Sequence, residues 1–377
     1  MDWQNSKNDS IALRRALLGA IRRADGISRA ALAAQCGMTR PTVSSIVGEF
    51  ISAGLVRETG KGASTGGKRP IMLALADEDP CAVGIAGGED YVIRGVACDL
   101  AGRVRDRAVM PYSNNFQSIR DVCIALIRQL RRNGGNFRGA GIAVSGQVDP
   151  VTGEVRDSQT LDLRNKGLAP AVAQAAGLPV YLETRSMAFA LAEAFYGAGK
   201  QYRDLMVLSS GRGIAAGIVI DGKLFRGSHG AAGELGDVPR VLEPEAPSLE
   251  SCLQAESLTR QAGKLLGREL TYAGFLNELA SRTPEVTGLV CHAAEILAEA
   301  VYPAVALLDP QAVVLGGQLL ELGDCFFDRF RELLTVKKDE LRYGRKLAVC
   351  ASELGEFGGA QGGASVILER LFQLQTV

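Results

Sequence analysis

Apolar side chains in the first 76 residues follow a helical spacing that later changes to strand-like alternation. Residues 11–23 form one predicted helix, and two shorter helices follow, because Ser28 and Thr39 are typical helix N-caps. Gly37 supplies the tight turn between those two helices. The apolar positions that would pack the helices together are Ala31, Leu32, Val43, Ile46, Val47, Phe50, Ile51 and Leu55. This pattern predicts a helix-turn-helix.

A glycine-rich basic segment follows, between two strand-like stretches. Residues 54–58 lead into the basic residues 60–70, and residues 71–75 have a strand pattern. Two strands around a basic tip make a wing beside the helix-turn-helix. The side chains expected to contact DNA are Arg40, Thr42, Ser44 and Ser45 at the start of the second short helix, and Lys61, Lys68 and Arg69 on the wing.

The charges are divided unequally along the chain. Residues 1–76 hold 11 lysines or arginines against 5 aspartates or glutamates, while the whole chain holds 42 of each. The remaining residues are therefore net acidic. A basic module joined to an acidic body is typical of a protein that meets phosphate with one end only. The alternative is a helical bundle that contacts protein alone, and the charge distribution favours duplex DNA over it.

Beyond residue 80 the pattern becomes that of an α/β body. Strand-like runs precede a helical stretch and a short glycine-rich strand at residues 139–144. A strand, a glycine turn and a second strand recur from residue 205, and three long helical segments, at 248–267, 274–281 and 287–308, precede a last strand. This repeated plan predicts an α/β fold class with two related lobes that face a cleft.

Composition places the chain among cytoplasmic proteins. The N-terminus is polar and lacks the apolar core of a signal peptide, and no apolar run approaches the ~20 residues of a membrane helix. The eight cysteines never form a CxxC pair. We interpret them as small buried side chains in a reducing compartment.

Three segments of the body resemble the ROK family, which joins repressors and sugar kinases on the actin-like and hexokinase-like ATPase fold. Residues 141–149 read GIAVSGQVD, residues 221–236 contain DGKLFRG and GAAGELG, and residues 308–317 contain LDP and VLGG. With the STGGKRP of the wing, these motifs make the chain similar to the sugar-responsive repressors of that family. The resemblance implies a winged helix-turn-helix joined to a two-lobed kinase-like body.

The phosphate-binding and catalytic residues that the resemblance implies for a kinase are missing. Ala86 stands at the position of the magnesium-side aspartate, and Glu89 and Asp90 add negative charge beside it. Arg212 replaces a phosphate-side threonine, and Arg185 replaces the aspartate that takes the proton of the sugar hydroxyl. Because a guanidinium stays protonated, it cannot act as a general base. We expect no enzyme activity, and the alternative is a sugar kinase that carries a DNA-binding arm.

A structural zinc site is also expected to be absent. Many family members follow the GAAGEIG segment with one histidine and three cysteines around zinc. This chain has Asp237 at the histidine position and only Cys252 within residues 238–253. One thiol cannot build a four-ligand site, so we expect neither a metal nor another cofactor.

Four residues remain as candidates for a small-molecule site: Glu183, Arg185, His229 and Glu234. The resemblance implies that Glu234 accepts hydrogen bonds from sugar hydroxyls, and His229 lies near it in the sequence. Arg185 adds a cation that suits a carboxylate or phosphate, so one hypothesis is a sugar acid or sugar phosphate. The opposing hypothesis is that Arg185 pairs with Glu183 or Asp237 and closes a vestigial pocket. The body would then be a protein-interaction platform without a small ligand.

Two boundaries divide the predicted chain into three parts. Residues 1–76 are the DNA-binding domain, residues 80–182 with a C-terminal helix at 362–377 form the small lobe, and residues 183–361 form the large lobe. Because one recognition helix contacts few base pairs, we expect a homodimer or higher homo-oligomer on double-stranded operator DNA. The predicted function is that of a repressor whose body senses a sugar or sugar derivative and changes the geometry of the paired helices.

Overall fold

The computed structural model describes the chain except for residues 1–12, 15, 23, 25, 63–68, 77–78, 88–90, 150, 159–160, 212, 237–247, 341–345 and 373–377. Of residues 337–340 and 372 it describes the backbone alone. Within these limits a small N-terminal domain precedes two five-stranded sheets, in the order predicted for a helix-turn-helix followed by an α/β body.

Helices and a small antiparallel sheet make up the N-terminal domain. Its elements are α1 (residues 16–22), β1 (Ile27–Ser28), α2 (Arg29–Cys36), α3 (Arg40–Ser52), β2 (Val56–Lys61) and β3 (Ile71–Leu75). β2 and β3 form an antiparallel hairpin, and β1 pairs with the other edge of β3. The predicted helix-turn-helix and wing are confirmed. β1 was not predicted, because two residues carry no periodic signal.

Side-chain caps define the helix-turn-helix. The Ser28 hydroxyl accepts a hydrogen bond from the Ala31 N–H at 3.2 Å, and the Thr39 hydroxyl accepts one from the Thr42 N–H at 3.4 Å. Between the helices Gly37 has a φ of 65°, a left-handed conformation that other residues rarely adopt. The sharp turn and both helix starts therefore follow from local sequence.

A mixed five-stranded sheet forms the centre of the first lobe. Its elements are β4 (Ala82–Gly87), β5 (Val92–Cys98), β6 (Val104–Pro111), α4 (Phe116–Leu130), β7 (Gly139–Val144), β8 (Gln147–Asp149), β9 (Glu154–Ser158), β10 (Leu163–Lys166), α5 (Leu168–Ala176) and β11 (Val180–Thr184). The order in the sheet is β11-β7-β4-β5-β6, and β8 to β10 form a separate antiparallel sheet. β11 crosses the predicted boundary at 182–183, so the division into lobes stays a prediction.

The second lobe repeats this plan. Its elements are α6 (Arg185–Phe195), β12 (Leu205–Ser210), β13 (Ile214–Ile220), β14 (Lys223–Phe225), α7 (Leu249–Leu253), α8 (Ala255–Leu265), α9 (Tyr272–Ala280), α10 (Pro284–Leu308), β15 (Ala312–Gly317), α11 (Gly323–Glu340) and β16 (Ala348–Ala351). The last helix, α12 (Gly358–Phe372), returns to the first sheet and packs on β4 and β7. The order β16-β15-β12-β13-β14 matches the first sheet strand for strand. The predicted α/β class and paired lobes are confirmed.

One predicted helix is interrupted. The stretch 248–267 was expected to be continuous, but Gln254 has φ −60° and ψ 140°, an extended conformation. Gln254 therefore ends α7 and precedes the first residue of α8. Tertiary packing accounts for the break, because Leu253 and Leu258 are both buried in the same core on either side of it.

α10 is, among the described residues, the helix that is long and apolar enough to cross a bilayer by length and composition. The sequence pattern had not suggested such a segment. Val290, Leu297 and Val301 on this helix are fully buried in the core that also contains Phe326 and Phe330 of α11. Its apolar character therefore also fits the core helix of a globular lobe.

α6 and α12 lie between the two sheets and approach them closely. A β-carbon on Gly84 would collide with the Ala360 carbonyl oxygen, and one on Gly141 would collide with the Gly363 carbonyl oxygen. Because β4 and β7 carry glycine at these positions, the backbone of α12 can rest directly on the sheet. This close contact fixes the floor of the cleft between the lobes.

Candidate functional site

The N-terminal half of α3 presents polar side chains to solvent. Arg40, Thr42, Ser44 and Ser45 are all exposed, as predicted for a recognition surface. The apolar side chains of the helix, Val43, Ile46, Val47 and Phe50, are buried on its other side. α3 is thus anchored by one face and offers the other to a partner.

Exposed cations also lie on the wing. Lys61 ends β2 and Arg69 lies just before β3, and both are exposed. The Gly62 N–H donates to the Pro70 carbonyl at 2.8 Å, which holds these two segments side by side. Lys68 lies outside the described residues. The described wing cations therefore stay close together in the hairpin.

A cleft of about 480 Å³ opens between the two sheets. The first lobe contributes Ala86 and Gly87 at the end of β4, and the second lobe contributes Ser209 and Ser210 at the end of β12. Arg185, the first residue of α6, also lines this cleft. Its role in binding a ligand stays a prediction.

Glu183 is buried and is not among the residues that line this cleft. Its carboxylate is only 3% exposed and accepts hydrogen bonds from Arg226 at 2.8 and 2.9 Å. Arg226 also lies 3.5 Å from Glu369 of α12. Burial lowers the pKa of Arg226, but the two carboxylates outweigh it and hold that pKa above its usual value. Arg226 is thus a partner of Glu183 that the sequence did not suggest, and the alternative pairing of Arg185 with Asp237 falls outside the described residues.

His229 and Glu234 are exposed on the turn that follows β14, and neither lines the cleft. Gly233 places this turn directly on β13, because its carbonyl accepts the Ala216 N–H at 2.7 Å and a β-carbon there would meet the Ala216 backbone. The four predicted residues are therefore distributed over three places: the cleft, a buried ion pair and an exposed turn.

Three charged residues that line the cleft, Arg94, Glu321 and Glu356, were not predicted from the sequence. Arg94 on β5 and Glu356, in the short turn before α12, both line the cleft and form an ion pair at 3.1 Å. They are 262 residues apart in the chain, so no local pattern connects them. Phe189 of α6 completes the wall, where it fills the space beside Gly316 and Gly358.

Metal-binding chemistry is sparse in the described part of the chain. No group of three or more His, Cys, Asp or Glu side chains among those residues is arranged to hold a metal. Cys252 is a half-buried thiol outside any disulfide, and Asp237 lies outside the described residues. The expectation that the chain lacks zinc stays a prediction.

α6 connects the cleft to the N-terminal domain. Arg185 and Phe189, at the start of α6, line the cleft. At the end of α6 the Arg22 guanidinium lies over the ring of Phe195, 4.0 Å from the ring centroid. Arg22 belongs to α1 and also lies over Tyr196, at 5.6 Å. Since residues 186–193 are buried throughout, α6 is held rigidly between these two contacts.

Glu193 provides a second connection between α6 and the cleft. Its carboxylate accepts hydrogen bonds from the Ser352 hydroxyl and, at 2.9 Å, from the Ala198 N–H. Burial raises the pKa of this carboxyl, and the two hydrogen bonds partly oppose that shift. Ser352 itself lines the cleft, so this hydrogen bond joins the cleft wall to α6.

Comparisons with known proteins agree with this architecture. The ROK family profile matches residues 82–370, and the MarR family profile matches residues 14–64. A xylose repressor of Caldicellulosiruptor bescii is 29% identical over 333 residues, which cover 82% of this chain and 83% of that protein. A glucokinase of Thermotoga maritima is 30% identical over 254 residues, 61% of this chain and 79% of the enzyme.

A solved structure shares nearly the whole fold. It is the crystal structure of a ROK family transcriptional regulator, a homologue of the Escherichia coli MLC protein, and it matches with a TM-score of 0.80 at 19% identity over 96% of both chains. At that identity the match shows the fold alone. Because the ROK profile covers most of the sequence, this chain belongs to the ROK family.

Proposed function

We propose that this chain is a DNA-binding transcriptional repressor whose body senses a sugar or sugar derivative in the cytoplasm. The observation that carries the proposal is α6, which joins the interlobe cleft at Arg185 to the N-terminal domain at Arg22. The similarity to a xylose repressor over most of the chain supports the same function. A ligand in the cleft can then act on the recognition helix through one rigid element.

The DNA contacts that we propose follow from exposure and charge. Arg40, Thr42, Ser44 and Ser45 reach base edges from the first turns of α3, while Lys61, Lys68 and Arg69 contact phosphate or the minor groove. A second copy of the chain supplies the other half-site, as a homodimer or higher oligomer. The operator is therefore expected to contain two related half-sites.

For the effector we propose that Arg185 binds an acidic group inside the cleft. Glu234, with His229, is proposed to receive hydroxyl groups on the exposed turn after β14, outside the described lining of the cleft. A direct ligand contact is not proposed for Glu183, because its buried carboxylate already holds Arg226. Its proposed role is to keep Arg226 in place beside α12.

The experiment that tests this function is operator binding with and without sugar. The full chain first selects a duplex from a random pool. Fluorescence anisotropy then measures the Kd for this duplex without sugar and with D-xylose, D-glucose or D-glucose 6-phosphate. We expect at least one of these three compounds to change the operator Kd about fivefold or more, which is a coupling typical of allosteric proteins. If none changes it, the body acts as a protein-interaction platform and the sensing proposal is wrong.

No kinase activity is expected. Ala86 offers the cleft no carboxylate for magnesium, and the Arg185 guanidinium cannot accept the proton of a sugar hydroxyl. A coupled assay with Mg-ATP and a hexose panel should give no turnover above the blank, with the Thermotoga maritima glucokinase as positive control. Turnover that depends on both ATP and a sugar would favour the alternative of a kinase with a DNA-binding arm.

Arg22→Ala should reduce the effect of sugar on the operator Kd. The change removes the contact between α1 and the end of α6, while leaving the exposed face of α3 intact. We expect the operator Kd without sugar to stay within about twofold, and the sugar-induced change to fall from about fivefold or more to less than twofold. Arg14→Ala is the matched control, since Arg14 pairs with Glu49 inside the N-terminal domain. A full sugar response in Arg22→Ala would contradict the proposed route.

A further inference from the structure

Two cysteine thiols meet where α10 packs against α11. The Sγ atoms of Cys291 on α10 and Cys325 on α11 lie 3.5 Å apart, although the two residues are separated by 34 positions in the chain. The Cys325 thiol also donates to the Thr287 carbonyl of α10 at 3.9 Å. Val290 and Phe326, the chain neighbours of the two cysteines, are fully buried in one core. Helix packing therefore holds the sulfur atoms together, and rotation of the side chains can close the gap to a covalent bond.

The paired thiols remain partly accessible to solvent. Cys291 and Cys325 are half-buried, whereas Cys98 and Cys123 are buried. Burial raises the pKa of Cys123 to about 12, so this thiol neither meets a dissolved oxidant nor forms the reactive thiolate. A small oxidant can therefore reach the pair on α10 and α11 while the two buried thiols stay inert.

The surroundings of Cys325 keep the pair reduced in the absence of an oxidant. Burial raises the pKa of Cys325 to about 11, and the neighbouring Cys291 thiol adds to the shift, while Arg282 opposes it. Cys325 is therefore protonated at neutral pH, and a protonated thiol is a poor nucleophile. The pair stays as two thiols in a reducing compartment and reacts when an oxidant persists.

We propose that Cys291 and Cys325 are a modification site, at which a hydroperoxide converts the two thiols into a reversible disulfide. One thiol attacks the O–O bond, becomes a sulfenic acid and releases an alcohol, or water where the oxidant is hydrogen peroxide. The other thiol attacks the sulfenic sulfur, the S–S bond forms, and the hydroxyl leaves as water with the second thiol's proton. The two thiols lose two electrons and the peroxide gains them. A dithiol reductant restores the thiols by exchange.

The disulfide joins α11 to α10 close to the cleft. Gln318 and Glu321, in the short turn before α11, line the cleft, and Cys325 lies in the first turn of α11. The new bond closes a loop that contains β15, which restricts the unfolded chain and so stabilises the folded lobe. The site lies outside the described lining of the cleft and does not depend on the proposed function.

Mass spectrometry of the full chain tests the site without sugar or DNA. The reduced chain is incubated with hydrogen peroxide, denatured, alkylated with iodoacetamide and digested. We expect two of the eight thiols to escape alkylation, a linked peptide pair that carries Cys291 and Cys325, and the return of both thiols after dithiothreitol. Thermal unfolding of the oxidised chain should show a Tm about 5 °C or more above that of the reduced chain.

Three variants separate this pair from the other thiols. Cys291→Ser and Cys325→Ser should each abolish the linked peptide and the rise in Tm. Cys252→Ser removes another half-buried thiol and is the control, so it should keep both. The comparison of oxidised with reduced wild type uses no variant and is therefore independent of how the serine variants fold. The proposal is wrong if peroxide leaves all eight thiols of wild type open to alkylation, if the linked peptides carry other cysteines, or if Cys291 and Cys325 end as sulfinic acids.

Discussion

Arg40→Ala is expected to weaken operator binding roughly 5- to 150-fold, the equivalent of ~1–3 kcal/mol for one bidentate arginine–guanine contact. Arg40 is the first residue of α3 and is exposed, while the buried side chains of the helix hold the helix in the domain. Fluorescence anisotropy with the selected duplex at fixed KCl measures the change.

Substitution of an exposed arginine in the body is the control for the loss of one positive charge. Arg164 on β10 is 79% exposed and lies outside both the recognition surface and the cleft. Arg164→Ala should bind the operator within about twofold of wild type, because removing one distant exposed charge leaves the base contacts intact. Equal affinity of Arg40→Ala and wild type would show that α3 does not bind base edges through this residue.

Gly141→Ala should destabilise the body by ~3 kcal/mol or more, because the new β-carbon would collide with the Gly363 carbonyl oxygen. Backbone on both sides leaves little room for adjustment, so α12 must move away from β7. Urea unfolding followed by circular dichroism is expected to show a lower midpoint.

The control for this change is a glycine with free space around it. Gly288 lies on the exposed side of α10, and nothing lies within 4 Å of an added β-carbon. Gly288→Ala is expected to be neutral or to stabilise by up to ~1 kcal/mol, as alanine favours the helix. If Gly141→Ala unfolds at the same urea concentration as Gly288→Ala, the close contact between α12 and the sheet is wrong.

Local signals made the N-terminal domain predictable from sequence. Ser28 and Thr39 cap their helices within three residues, and Gly37 adopts the left-handed turn between them. The wing followed from a hairpin pattern of the same short range. By contrast, β1 is too short to produce a pattern, and the break at Gln254 depends on packing in the core.

Long-range ion pairs could not be predicted in the same way. Glu183 was grouped with Arg185 because they are neighbours in the chain, but it pairs with Arg226, 43 residues away. Arg94 and Glu356 are farther apart still, and isolated charges on strands and turns give no periodic signal. The place of Arg185 in the cleft was implied by the family resemblance, since spacing alone does not locate a cleft.

Binding of operator DNA by residues 1–76 can be measured on duplexes that the full chain selects from a random pool. Their affinity is then compared with that of a chain starting at residue 77, as KCl is raised. We expect two related half-sites, binding by the full chain that weakens steeply with salt, and no specific binding by the shorter chain. Equal binding by both chains, or no enriched sequence, would contradict this expectation.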